Sequence, residues 1–206
     1  MSHYVTADLH GCYDAFIDLL QKIDFQPEDT LYIIGDVVDR GPEGVKLLQY
    51  IKKSPNILLL LGNHEVMMRD ALTSGDNELW FYNGGMVTFH RFSRLSPEEQ
   101  TEIKTYLTDL PLFLDVTVAD RKFRLIHGCP MADENDVENS VWQRPDPNEV
   151  FFTDKTVIVG HTPTMCYGDD CHILHGKNLI DVDCGYVYRG LLGCLRLEDM
   201  REFYIS

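Results

Sequence analysis

The 206-residue sequence predicts a layered α/β sandwich built on two sheets. Three observations lead there. The first third alternates strand and helix patterns, the stretch 64–110 reads as mainly helical, and short β-rich runs dominate from residue 112 onward. A strand–helix–strand–helix–strand order implies a largely parallel sheet covered by helices.

Taken in order, Tyr4-Val5-Thr6-Ala7 is a short strand running into Asp8. Phe16, Ile17, Leu19, Leu20 and Ile23 recur at helical spacing within Tyr13–Ile23. Leu31–Ile34 is a buried strand ending at Gly35-Asp36. Pro42 then suits the first turn of a helix reaching Lys53, because its missing N–H costs nothing there. Ile57–Leu61 is a third buried strand, ending at Gly62-Asn63-His64. In the helical middle, Ser96-Pro97-Glu98-Glu99 carries an N-cap, a proline and acidic first-turn residues. Strands are expected at Leu112–Val118, Lys122–Ile126, Thr156–Val159, Leu179–Val182, Leu191–Leu197 and Glu202–Ile205. No repeat, low-complexity tract or Gly/Ser linker interrupts the chain, so a single domain over 1–206 is expected.

Composition narrows the function. The net charge of −15 argues against general affinity for nucleic acid or anionic lipid, both of which need a basic surface. The longest apolar run, Ile57–Leu61, is far short of the ~20 residues that span a bilayer. The N-terminus lacks a basic region followed by a long apolar stretch, and a cytoplasmic protein is expected. No heptad or interface helix stands out, so a monomer is expected. The six cysteines (12, 129, 166, 171, 184, 194) show no CxxC pair and are expected as free thiols. Cys166, Cys171, His172 and His175 lack paired zinc-ligand spacing and are read as a loop entering a strand. His3 and His90 have no motif around them, and the acidic run 133–136 reads as a solvated loop.

The chemistry is concentrated in three clusters: Asp8-Leu9-His10-Gly11, Gly35-Asp36-Val37-Val38-Asp39-Arg40-Gly41 and Gly62-Asn63-His64-Glu65. Two later strands end similarly, in His127-Gly128 and Gly160-His161. Each cluster follows a strand directly, and in open α/β sheets ligands bind at the carboxyl ends of strands. That places carboxylates, imidazoles, an amide and a guanidinium at one rim. Oxygen and nitrogen ligands of this kind hold hard metals, and Arg grips phosphate bidentately. An anionic phosphoester would meet the acidic chain through bound cations.

In this order and company the clusters resemble the phosphoprotein phosphatase branch of the calcineurin-like metallophosphoesterases, and within it the small bacterial and phage serine/threonine phosphatases. The resemblance runs from Asp8 to about Asp183. It departs from the family pattern at Ala7, where Gly is usual, and at Gly128, where Ala is common. It implies a four-layer α/β/β/α sandwich with two mixed sheets flanked by helices. It also implies two divalent ions, manganese first, with iron or zinc acceptable. Asp8 and His10 would hold the first ion, Asp36 would bridge it to the second, and Asn63, His127 and His161 would complete the second ion's ligand set. Two-metal sites hold their ions ~3.5–4 Å apart, within reach of one carboxylate, and a hydroxide between them would attack phosphorus in line. His64 would be the general acid and Asp39 its orienting partner. Arg40, Asn63 and, from the Trp142-Gln143-Arg144 triplet, Arg144 would bind phosphate. The implied substrate is a phosphorylated protein or small phosphoester. A symmetrical dinucleoside tetraphosphate hydrolase shares the motifs, including the His10–Asp14 stretch, and stands second. A non-catalytic phospholigand-binding module is the alternative of another class.

Overall fold

The computed structural model describes residues 1–168 and 170–206. Among the described residues ten strands form two mixed five-stranded sheets. The first sheet takes β1 (His3–Thr6), β2 (Thr30–Ile33) and β3 (Ile57–Leu59) in parallel, then β9 (Leu192–Arg196) and β10 (Arg201–Ile205) antiparallel beyond β1, in the order β10-β9-β1-β2-β3. The second follows the order β4-β5-β6-β8-β7, from β4 (Phe113–Val118), β5 (Arg121–Ile126), β6 (Thr156–Val159), β7 (Leu174–His175) and β8 (Leu179–Asp181). Within it β5, β6 and β8 are parallel.

The sheets pack face to face. Val5, Ala7, Tyr32, Ile34 and Leu60 of the first meet Leu125, Ile158, Ile180 and Val182 of the second in one buried cluster. The alternation behind this is visible in β1 and β2. Val5 and Tyr32 face the second sheet, while Tyr4, Leu31 and Ile33 face the helices. Those helices are α1 (Tyr13–Lys22), α2 (Gly44–Lys53), α3 (Asn63–Ser74), α4 (Glu78–Tyr82), α5 (Met86–Phe92) and α6 (Pro97–Thr108). Short helices α7 (Val137–Trp142) and α8 (Tyr186–Arg189) sit in later loops. The outer face of the second sheet carries a smaller cluster around Ile126, Val157, Val159 and Leu179, with Phe151 and Phe152 against it. The layered α/β class holds, with its helical bulk on the first sheet.

Some local expectations hold and others fail. The second helix begins at Gly44 with Glu43 as N-cap, so Pro42 lies before its first turn. The Ser96 capping box is present: Glu99 N–H donates to Ser96 Oγ at 3.2 Å, and Ser96 N–H to the Glu99 carboxylate at 2.9 Å. The acidic run is more than a solvated loop, because Glu134 pairs with Arg124 at 2.5 Å and Asp136 caps α7. Asp169, within the Cys166–His175 stretch, lies outside the described residues. All six cysteines are free. His3 pairs with Glu198 and His175 with Glu202, both at 2.7 Å, in ordinary partly exposed contacts. No described helix is long and apolar enough to cross a membrane.

Candidate metal centre

Six parallel strands, three from each sheet, end at one rim. β1 leads into Asp8 and His10, β2 into Asp36, Asp39 and Arg40, and β3 into Asn63 and His64. From the second sheet β5 delivers His127, β6 His161 and β8 Asp183. Of ten described non-glycine residues with positive φ, six belong to this rim: Asp8, His10, Asp36, Asp39, Arg40 and His161. Each such residue costs on the order of 1 kcal/mol or more, and clustering of that strain is a mark of a functional site.

What holds the strained loops is Glu65, fully buried. One carboxylate oxygen accepts from Asp36 N–H at 2.7 Å and Gly62 N–H at 3.1 Å, the other from Val37 N–H at 3.0 Å. Burial, then the nearby Asp36 charge, pushes Glu65 up to about 7. Gly62 is required by close approach, since a Cβ there would stand 2.4 Å from Asp36 Oδ1. Glu65→Gln offers only one accepting end and strands buried N–H groups at about 1–3 kcal/mol each. A lowered urea midpoint with unchanged m-value is the expected result.

The ring nitrogens are aimed by their far sides. His127 Nδ1 donates to Ile34 O at 2.8 Å, and His10 Nδ1 to Val38 O at 3.0 Å. His161 Nε2 donates to Trp142 O at 3.2 Å. These bonds assign the outer nitrogens, so the opposite nitrogens face the rim and offer lone pairs there once each ring is neutral. His127 Nε2 and His161 Nδ1 each lie 3.0 Å from Asn63 Oδ1, and Asp36 Oδ1 is 3.3 Å from His127 Nε2. Four potential ligand atoms converge there, which suits a cation. His10 Nε2 lies 3.8 Å from both Asp8 Oδ1 and Asp36 Oδ2. Two groups that could hold metal ions therefore share Asp36: Asp36, His127 and His161 on one side, and His10, Asp36 and His64 on the other. Asn63 begins α3 without capping it, because its Oδ1 turns into the rim.

His64 differs from the other rings. Its Nδ1 donates to Asp39 Oδ2 at 2.7 Å, a buried carboxylate rather than a carbonyl, and its Nε2 stands 3.9 Å from Asp36. Arg40 does not pair with Asp39; its guanidinium reaches His10 Nε2 at 2.5 Å and His64 Nε2 at 3.0 Å. Arg144 is exposed and lines the adjoining cleft with Thr162 and Tyr167. Its charge, after burial and His127, helps lower His161, which sits at about 4.

Charge is crowded. Burial and Asp183 raise Asp8 well above the usual carboxylate range, and burial pushes Asp183 up to about 6. Although burial opposes its charge, Asp36 is held low by His127 and His64. Against its own burial, His127 is raised to about 10 by Asp36 and Asp8, while burial takes His10 down to about 3. Above about pH 6.5 the lowered histidines keep only a shrinking fractional charge in the unfolded chain, and the raised groups outweigh it. Glu65, at about 7, and His127, at about 10, hold protons that the unfolded chain releases. Stability of the chelator-treated protein is therefore expected to fall as pH rises from about 6.5 to 8. Added Mn²⁺ should restore more Tm at the upper end, as scanning fluorimetry would read.

Several participants escaped the sequence reading. Trp80 and Thr88 contact Asp39 from across the helical middle, at 2.8 Å and 2.9 Å. Asp181 and Asp183 are buried behind Asp8. The Gly84-Gly85 pair inside a helical stretch was the available signal for the first two. A strand ending Asp181-Val182-Asp183 was the signal for the others.

Fold and rim together define a metal-dependent phosphoester hydrolase, and the chain belongs to the calcineurin-like phosphoesterases, whose family model matches residues 1–190. Two relatives in Salmonella typhimurium cover most of it. Serine/threonine-protein phosphatase 2 is 28% identical over 148 residues, covering 68% of this chain and 67% of its own length. Serine/threonine-protein phosphatase 1 is 27% identical over 215 residues, covering 95% and 91%. The symmetrical bis(5'-nucleosyl)-tetraphosphatase of Salmonella arizonae is 47% identical over 68 residues, but that match spans 32% of this chain and 24% of the relative. Among solved structures, a candidate diadenosine tetraphosphatase superposes with a TM-score of 0.72 at 20% identity, covering 99% of this chain and 92% of its own, a likeness of fold.

Proposed function

We propose that the chain is a protein serine/threonine phosphatase whose dinuclear site is held by Asp8, His10, Asp36, Asn63, His127 and His161. The observation that carries this reading is the His64–Asp39 pair beside the Asp36-centred donor groups. Manganese is the first choice, since mixed oxygen and nitrogen donors accept it alongside iron and zinc. Bound there, the ions would supply Lewis-acid polarisation of the phosphate and would acidify the attacking water. Arg40 turns its fork to the phosphate oxygens, a planar contact that fixes orientation. Arg144 adds a second cation from the cleft side. His64 donates its Nε2 proton to the departing oxygen, and Asp39 stabilises the imidazolium before transfer.

A serine or threonine alkoxide is a far poorer leaving group than a nucleoside diphosphate, so a buried, carboxylate-backed acid matters most for the former. The full-length likeness to a protein named a serine/threonine phosphatase supports the same choice. The high identity over 68 residues to a symmetrical tetraphosphatase favours dinucleoside tetraphosphate as the second reading. Manganese-dependent turnover of phosphoserine and phosphothreonine peptides, set beside diadenosine tetraphosphate, separates the two. Preference for the peptides is expected; preference for the dinucleotide would overturn the first reading in favour of the second.

A further inference from the structure

Asp39 is held by more than its histidine. Trp80, 1% exposed, donates its indole N–H to Asp39 Oδ2 at 2.8 Å, the same oxygen that accepts from His64 Nδ1. The other oxygen, Asp39 Oδ1, is buried without a partner among the described residues. From the same segment Thr88 Oγ1 accepts Asp39 N–H at 2.9 Å, and Gly84 O accepts Arg40 N–H at 3.3 Å. Asp39 and Arg40 are consecutive residues at φ 68° and 65°, a conformation that persists only when its surroundings over-determine it. Gly85 lets Trp80 lie where it does, since a Cβ there would stand 2.2 Å from the indole Cδ1.

We propose that the Trp80–Thr88 segment positions the His64–Asp39 acid pair and Arg40, with the Trp80 indole N–H as its deciding contact. The inference rests on His64 being the general acid. A buried indole needs some acceptor, and any backbone carbonyl would satisfy it. Here it takes the oxygen that orients the acid. Two donors converge on Oδ2 and hold the carboxylate's orientation. Without the indole N–H the carboxylate is free to turn and offer either oxygen to His64. The imidazole then loses its fixed aim at the leaving oxygen, and small angular errors are costly in a proton transfer.

Trp80→Phe keeps the ring and removes the donor, and leaving-group dependence is the readout that packing alone would not move. For the manganese-loaded variant, kcat on a phosphoserine peptide should fall about tenfold or more, part of what a general acid contributes, while p-nitrophenyl phosphate changes by less than about twofold and KM holds. His64→Asn, run beside it, should show the same selectivity more strongly. Thr88→Val should reproduce the selective loss and Thr88→Ser should restore it, a pair that decides the matter if Trp80→Phe does not fold. Equal losses on both substrates in Trp80→Phe or Thr88→Val would overturn the positioning role while leaving His64 as acid. An unselective His64→Asn would overturn the acid reading and this inference with it.

Discussion

Asp36→Asn is expected to abolish turnover and to strip the chain of most of its metal. Asp36 is the one residue common to both donor groups, with Oδ1 turned to His127 and Oδ2 to His10. An amide there keeps one neutral oxygen and turns an NH₂ donor toward atoms whose lone pairs face inward. Mutating an outer partner of a metal ligand typically costs roughly 10–100-fold, and replacing a shared inner carboxylate should exceed that in kcat. The fold should survive. Asp36 Oδ1 also accepts His64 N–H at 3.1 Å, a bond the amide oxygen is able to keep, and Glu65 still anchors the loop. Metal per chain and kcat on an aryl phosphate, measured together on the folded variant, check this; full activity at normal metal content would remove Asp36 from its bridging role.

His64→Asn is expected to lower kcat on phosphoserine peptides by about 10²–10⁴-fold, the range that a positioned general acid contributes. The chain should still bind its metals, because Asp8, His10, Asn63, His127 and His161 are untouched. The alternative, that His64 is itself a ligand, has a geometric basis in the His10, Asp36 and His64 group. What argues for the acid is the partner of Nδ1. His10 and His127 donate to carbonyls, as metal-binding imidazoles commonly do, whereas His64 donates to a buried carboxylate, the partner that orients an acid–base imidazole. Normal metal content with a selective loss on poor leaving groups is the expected signature. Loss of a metal ion in His64→Asn would assign the residue to the metal instead.

Much of the candidate site was legible because its residues sit directly after strands. Asp8, Asp36 and Asn63 each lie within four residues of a strand end, and one rim follows from parallel order alone. His127 and His161 were legible for the same reason, as residues closing β5 and β6. The supports were not. Trp80 is 41 residues from Asp39 and Thr88 is 49, and neither lies in a motif that names its partner. Buried carboxylates such as Asp181 and Asp183 look like surface acids until the second sheet is folded over the first. Helix α7 was hidden by its acidic, amide-rich start, whose Asp136 cap was read as solvated loop. Pro42 misled by two residues, since the helix begins only at Gly44, after the positive-φ Asp39-Arg40 pair.

The most direct test is a titration of Mn²⁺ into the chelator-treated protein, following bound metal per chain and hydrolysis of a phosphoserine peptide in the same samples. Two ions per chain, with activity rising as the second binds, is the expected result. Hydrolysis that saturates with one ion, or that survives chelation, would contradict the dinuclear site built around Asp36.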